Sequence, residues 1–108
     1  NLFLLYGPNT NLGHSSIIFM IECQTNYILH CLRILSDTGA RALDVKREHM
    51  DAFNRSVQLA LSKTAFAAGC NSWYKTDSGK ITNNWSGLTL HYWWITRRPA
   101  LSALELIT

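Results

Sequence analysis

The first apolar run, Leu2-Phe3-Leu4-Leu5-Tyr6, is continuous rather than alternating. A continuous run predicts a strand buried on both faces, as in a parallel sheet. It meets a turn, Gly7-Pro8-Asn9-Thr10-Asn11-Leu12-Gly13-His14, where the glycines permit unusual backbone shapes and Pro8 punctuates the chain. At Ser15-Ser16 the period changes. Ile17, Ile21, Ile28, Leu32 and Leu35 fall on one helical stripe, and Met20, Cys23, Tyr27, Cys31 and Ile34 on a second beside it. Glu22, Asn26, His30, Arg33 and Asp37 form the polar edge. So wide an apolar arc predicts a long helix covered on most sides, capped by Ser15 or Ser16 and stopped at Gly39. Without the rest of a sheet, part of that arc is left bare.

Arg41-Ala42-Leu43-Asp44-Val45 alternates enough for an edge strand. Residues 48–68 predict a second helix, with Met50, Phe53, Val57, Ala60, Leu61 and Thr64 facing inward. Glu48 and Asp51 suit the positive end of its dipole, and Gly69 closes it. The remainder is turn-rich and aromatic. Asp77-Ser78-Gly79 predicts a hairpin-type turn, residues 88–96 a strand, and Pro99 the end of ordered structure. The fold class is therefore α/β: strand, long helix, short strand, second helix, then an aromatic strand and loop region. There is no internal repeat and no low-complexity segment.

At 108 residues the chain is one domain or part of one. A start at Asn1 without Met, almost directly in a core strand, leads to the expectation of a longer parent chain. The net charge of +3 is a weak argument for nucleic acid or membrane. Three cysteines without C-x-x-C spacing point to free thiols and a reducing, cytoplasmic compartment. Cys23 and Cys31, eight residues apart on one helix, are separated by about 12 Å of rise, too far to bridge. The apolar stretch 17–35 is broken by Glu22, Gln24, Asn26, His30 and Arg33, which excludes a membrane span.

The loop between the first strand and the long helix is the best functional candidate. It is either a plain connection, carrying Gly, Pro and Asn for turn reasons, or a ligand contact made by a helix N-terminus with its free N–H groups. It is not a G-x-G-x-x-G fingerprint, and none occurs in the chain. His14 could exchange a proton beside a ligand, but a lone loop histidine is more often a structural hydrogen-bonder. His30, His49 and His91 lack metal-ligand spacing, so no metal site is expected. Tyr92-Trp93-Trp94 near Arg97-Arg98 could form a stacking platform for single-stranded nucleic acid. Strand alternation would split those rings between two faces, and packing is preferred for most of them.

Residues 5–22, from Leu5-Tyr6-Gly7-Pro8 through Gly13-His14-Ser15-Ser16 to Ile21-Glu22, resemble the last strand, flavin-facing loop and following helix of the FAD domain in flavin monooxygenases. The Baeyer–Villiger, cyclohexanone-monooxygenase-like branch is the nearest likeness. A second motif agrees: Ala67-Ala68-Gly69-Cys70-Asn71-Ser72-Trp73-Tyr74, then Trp85-Ser86-Gly87 and Tyr92. Where the family often has Trp-Pro-Gly, this chain has Trp85-Ser86-Gly87, a less rigid turn. The resemblance covers nearly the whole chain, and the family is several times longer.

The resemblance implies that residues 1–108 are one C-terminal piece of an FAD-binding doubly wound domain, incomplete alone, whose phosphate-binding loops lie upstream. It implies FAD and NADPH as cofactors, dioxygen and a ketone as substrates, and oxygen insertion through a flavin peroxide. Asn9, Thr10, Asn11, Leu12, Gly13, His14, Ser15 and Ser16 would line the flavin, and Ser72 and Trp73 the nicotinamide side. No residue of the piece is assigned a catalytic role. Three alternatives stay open: an N- or S-oxidising flavin enzyme, a small self-associating interaction module, and a nucleic-acid binder. The isolated chain is expected to be inactive and to self-associate through the uncovered strand 2–6.

Overall fold

The computed structural model describes residues 1–11, 16–64 and 75–108. Its elements are α1 (Ile17–Thr38), β1 (Ala42–Val45), α2 (Arg47–Leu61), α3 (Thr89–Thr96), a 3-10 turn (Leu101–Ala103) and β2 (Leu104–Ile107). Among the described residues the architecture is α/β, with three α-helices and a two-stranded sheet.

α1 is the spine. Ser16 caps it, its hydroxyl oxygen accepting from the Phe19 N–H at 3.3 Å. Gly39 ends it in the left-handed conformation (φ 67°), as the sequence predicts. Its buried stripe serves two separate cores. Met20 and Cys23 pack with Val57 and Leu61 of α2, Ile81, Trp85, and Tyr92 of α3. Two to three turns later, Cys31 packs with Leu43 and Leu104 of the sheet, flanked by Phe3, Tyr27, Ile34 and Leu35. Of the two stripes, the one through Met20, Cys23 and Cys31 is therefore the inner one. Leu32, on the other stripe, is half exposed, as is Leu29 beyond it, and Ile18 is more exposed still.

Four expectations are corrected. Residues 2–6 are not a strand: residues 5–6 form a turn, and Leu2 is 86% exposed. An apolar run becomes a buried strand only when neighbouring strands cover it, and β1 offers its free edge to Asn1 alone. Asn1 takes that edge by donating to the Leu43 and Arg41 carbonyls and accepting from the Leu43 N–H. Residues 89–96 are α3, not a strand, because the i and i+4 face decides the outcome: Tyr92 is buried and Thr96 half-buried against α1, while Leu90 and Trp94 on the opposite side stay exposed. Aromatic β-propensity yields to that packing. Pro99 ends α3 but not the ordered chain, since β2 pairs antiparallel with β1 from Ala42–Ile107 to Val45–Leu104. Finally, α2 stops at Leu61, and only Val57 and Leu61 of its expected inner face are fully buried; Met50 and Phe53 are exposed.

The hairpin expectation holds. Lys75 bridges Ile81 antiparallel, and Gly79 (φ 85°) takes the position that needs a positive φ. The long dimension is 48 Å and the radius of gyration 15.1 Å, against about 13 Å for a compact domain of this length. Among the described residues no helix is long and apolar enough to cross a membrane.

Candidate functional site

The chain enters the candidate loop through a tight turn. Tyr6 (φ 53°) and Asn9 (φ 56°) are both left-handed. Gly7 is required by space rather than by φ: a Cβ there would stand 3.2 Å from Leu4 Cβ and 3.3 Å from Leu4 O. The Thr10 hydroxyl donates to Gly7 O at 2.6 Å and closes the turn.

From the end of the turn, residues 9–11 run beside residues 81–85 and form a short ladder. Asn9 N donates to Thr82 O (2.8 Å), Asn11 N to Asn83 O (2.8 Å), and Trp85 N to Asn11 O (2.9 Å). Side chains double this ladder. Asn9 Nδ2 donates to Ile81 O at 2.9 Å and to Asn84 O at 3.0 Å. Asn11 Nδ2 donates to Asn84 Oδ1 at 3.1 Å, and Asn11 Oδ1 accepts from the Tyr6 hydroxyl at 2.7 Å. Asn9 and Thr10 are buried. Asn84 is 1% exposed, and its Nδ2 has no acceptor. A buried donor without a partner costs about 1–3 kcal/mol, so this atom marks a place where a further acceptor would be stabilising.

Two amide side chains outside the loop complete the frame. Gln24 of α1 accepts from the Tyr6 N–H (2.9 Å) and donates to the Tyr92 hydroxyl (3.1 Å). Gln58 of α2 donates to Ile81 O (2.6 Å) and accepts from the Ile81 N–H (3.0 Å). The sequence reading missed Gln24, Gln58 and Asn84 as site residues. Gln24 carried a signal, because a polar residue inside an apolar arc is most simply explained by a buried hydrogen bond. Asn84 carried none.

Of the candidate flavin-side residues, Asn9, Thr10 and Asn11 lie along residues 81–85, and Ser16 caps α1. Leu12, Gly13, His14 and Ser15 lie outside the described residues, as do Ser72 and Trp73. The hairpin at Lys75 and Ile81 follows Trp73 closely in sequence and is bound to Asn9 through Ile81. Trp85 packs edge-on against Tyr92, with ring centroids 5.3 Å apart. Gly87 fits beneath it, since a Cβ would meet Trp85 Nε1 at 3.2 Å. Of the three consecutive rings, packing is thus right for Tyr92. It is wrong for Trp94, which is 64% exposed, and for the partly exposed Trp93; the Arg97 guanidinium lies over both rings.

The contacts that hold the loop are all between uncharged groups: amides, hydroxyls and peptides. Burial pushes the Tyr92 hydroxyl above the usual tyrosine range, opposed by its bond from Gln24. Burial likewise raises the Cys23 thiol, opposed by a hydrogen bond with Thr96. Such a frame can position a ligand and donate hydrogen bonds while remaining neutral.

No family model and no solved structure matches the chain. Curated relatives do. The chain is 43% identical to the FAD-binding monooxygenase ktnD of Aspergillus niger over 85% of its own length and 16% of the relative's. It is 37% identical to a Baeyer–Villiger monooxygenase of Pseudomonas aeruginosa over 100% of its length and 21% of the relative's. To a Baeyer–Villiger monooxygenase of Streptomyces coelicolor it is 39% identical over 99% of its length and 21% of the relative's. The chain thus belongs to the FAD-binding monooxygenase family that includes these Baeyer–Villiger enzymes, and it spans 16–21% of their length.

Proposed function

We propose that the chain is the C-terminal portion of the FAD-binding domain in a cytoplasmic, NADPH-dependent monooxygenase that inserts oxygen into ketones. Asn9, Thr10, Asn11, Leu12, Gly13, His14, Ser15 and Ser16 form the wall beside the flavin pyrimidine ring. Ser72 and Trp73 contribute to the nicotinamide side. When bound, FAD supplies the redox chemistry and the activation of dioxygen, while the protein supplies position and electrostatics.

The observation that carries this reading is the doubled ladder between residues 9–11 and 81–85. It fixes a neutral, donor-rich loop against residues 81–85, a few residues before the Ser16 cap of a 22-residue helix. The carbonyl-bearing edge of a flavin accepts hydrogen bonds, and partial positive charge at a helix N-terminus favours electron density there. The partnerless Asn84 Nδ2 fits the same donor set. Asn9 holds the loop in shape, Asn11 lies between Tyr6 and Asn84, and Ser16 starts the helix. None of these groups moves a proton.

The bare apolar surface supports a larger parent. Leu2, Ile18, Leu88 and Leu90 are each more than two-thirds exposed. In the full-length enzyme the missing domain would cover them.

The test compares the isolated chain with the full-length parent. The parent should purify with a flavin spectrum and oxidise NADPH, and it should convert a cyclic ketone to its lactone. The isolated chain, without phosphate-binding loops, should hold no stoichiometric FAD. Sulfoxide or N-oxide as the sole product would move the parent to the heteroatom-oxidising branch. A parent that binds no flavin would overturn the proposal.

A further inference from the structure

We infer that Asn9 is a positioning residue that couples the flavin-side loop to the nicotinamide-side segment, making them one mechanical unit. This rests on the site reading proposed above. The residue type answers two needs at once. The backbone at Asn9 is left-handed (φ 56°), a conformation Asn adopts more readily than most residues. Its side-chain amide must also reach two carbonyls three residues apart, those of Ile81 and Asn84. Gly meets only the first need. A longer or β-branched side chain meets neither.

The coupling follows from what shares a partner. Ile81 O accepts from both Asn9 Nδ2 and Gln58 Nε2, so the loop and α2 grip the same peptide from two sides. Ile81 also bridges Lys75 across the hairpin, and Lys75 lies two residues beyond Trp73. On the loop side, Asn9 leads through Thr10 and Asn11 towards Ser16 and the start of α1. A displacement of the hairpin by about an ångström would break bonds to Asn9 as well as to Thr82 and Asn84. Packed, hydrogen-bonded contacts of this kind transmit displacement because they have few intermediate arrangements.

Asn9→Gly in the FAD-loaded, full-length enzyme is the direct test, because glycine keeps the left-handed backbone and removes both amide donors. Coupling predicts that nicotinamide and flavin readouts move together. The KM for NADPH should rise roughly tenfold, as expected for sub-ångström misplacement, while the flavin midpoint potential shifts and more hydrogen peroxide is released per NADPH consumed. A variant that melts earlier but matches the wild type in KM, potential and peroxide yield, per folded and flavin-loaded enzyme, overturns the inference. If the variant does not fold, hydrogen exchange on the wild-type holoenzyme decides. NADP⁺ should slow exchange at the Asn9 and Asn11 amides along with Trp85; slowing confined to residues 75–85 overturns the coupling. The two levels separate in the same experiment. If FAD added to apoenzyme protects residues 9–20 while NADP⁺ leaves Asn9 and Asn11 unchanged, only the coupling fails. If FAD protects nothing there, the site reading fails and takes the coupling with it.

Discussion

Gln24 of α1 and Tyr92 of α3 meet side chain to side chain, amide nitrogen to hydroxyl at 3.1 Å, and both are buried. The other end of the same amide accepts from the Tyr6 N–H. One side chain therefore fastens α3 and the turn that begins the candidate loop onto the spine. Gln24→Leu should cost about 1–3 kcal/mol, because it leaves the buried Tyr92 hydroxyl without its partner and the part-buried Tyr6 N–H without its acceptor. At about 4–8 °C per kcal/mol for a domain of this size, the loss is readable in a thermal melt. Tyr92→Phe should also cost about 1–3 kcal/mol, because it leaves the buried Gln24 Nε2 without its acceptor while the Tyr6 bond stays intact. If Gln24→Leu melts with the wild type, the bond adds nothing to stability.

Stability should fall in alkali. Burial raises the ionisation of Cys23, Cys31, Tyr27 and Tyr92, all of which are neutral in the fold. The unfolded chain therefore loses its protons first, thiols near about pH 8.5 and phenols near about pH 10. The contribution is complete below about pH 8.5 and disappears as pH rises through the higher folded values. Urea midpoints measured between neutral pH and about pH 10.5 should decline steadily across that window. A flat profile would mean these groups are solvated in the folded chain.

Asp44 on β1 stands directly opposite Glu105 on β2. Like charges facing each other across a ladder destabilise it, and both residues are exposed. Glu105→Lys should therefore stabilise the chain by about 0.2–1 kcal/mol. The gain should shrink in high salt. A destabilised variant would contradict the register.

Leu104 opens β2 and is buried against Cys31 and Leu43. Leu104→Ala should cost about 2–5 kcal/mol. A negligible effect would mean the tail after Pro99 does not close the second core.

The isolated chain should self-associate, through side chains rather than through a strand edge at residues 2–6. Leu2, Leu4, Ile18, Leu88, Leu90 and Trp94 present wide apolar surface. Sedimentation should show dimers or larger species, and Leu88→Glu with Leu90→Glu should shift them towards monomer. A monomer at every concentration would refute this.

What was legible in the sequence was local. The long helix, its Ser16 cap and its Gly39 stop are written in period and in residue chemistry, and so is the hairpin at Gly79. The errors share one cause, which is that an element's type was decided by distant partners. Residues 2–6 have the composition of a buried strand, yet among the described residues no strand pairs with them. Residues 89–96 have the propensity of a strand, yet Tyr92 packs on α1 as one face of a helix. β2 was hidden behind Pro99 because its partner, β1, lies about 60 residues upstream. The loop was legible as a turn through its Gly, Pro and Asn content, but the ladder that holds it depends on residues 81–85, about 70 positions away. Nothing local to Asn84 announces that role.

The central claim is that residues 9–16 stand beside the flavin. The measurement that tests it most directly is a crystal structure of the full-length parent with FAD bound. Residues 9–16 should lie along the pyrimidine edge, with at least one N–H donor within about 3.2 Å of a ring carbonyl oxygen. The ladder from Asn9 and Asn11 to residues 81–85 should be intact. A flavin ring held elsewhere, with residues 9–16 facing solvent or another domain, would contradict it.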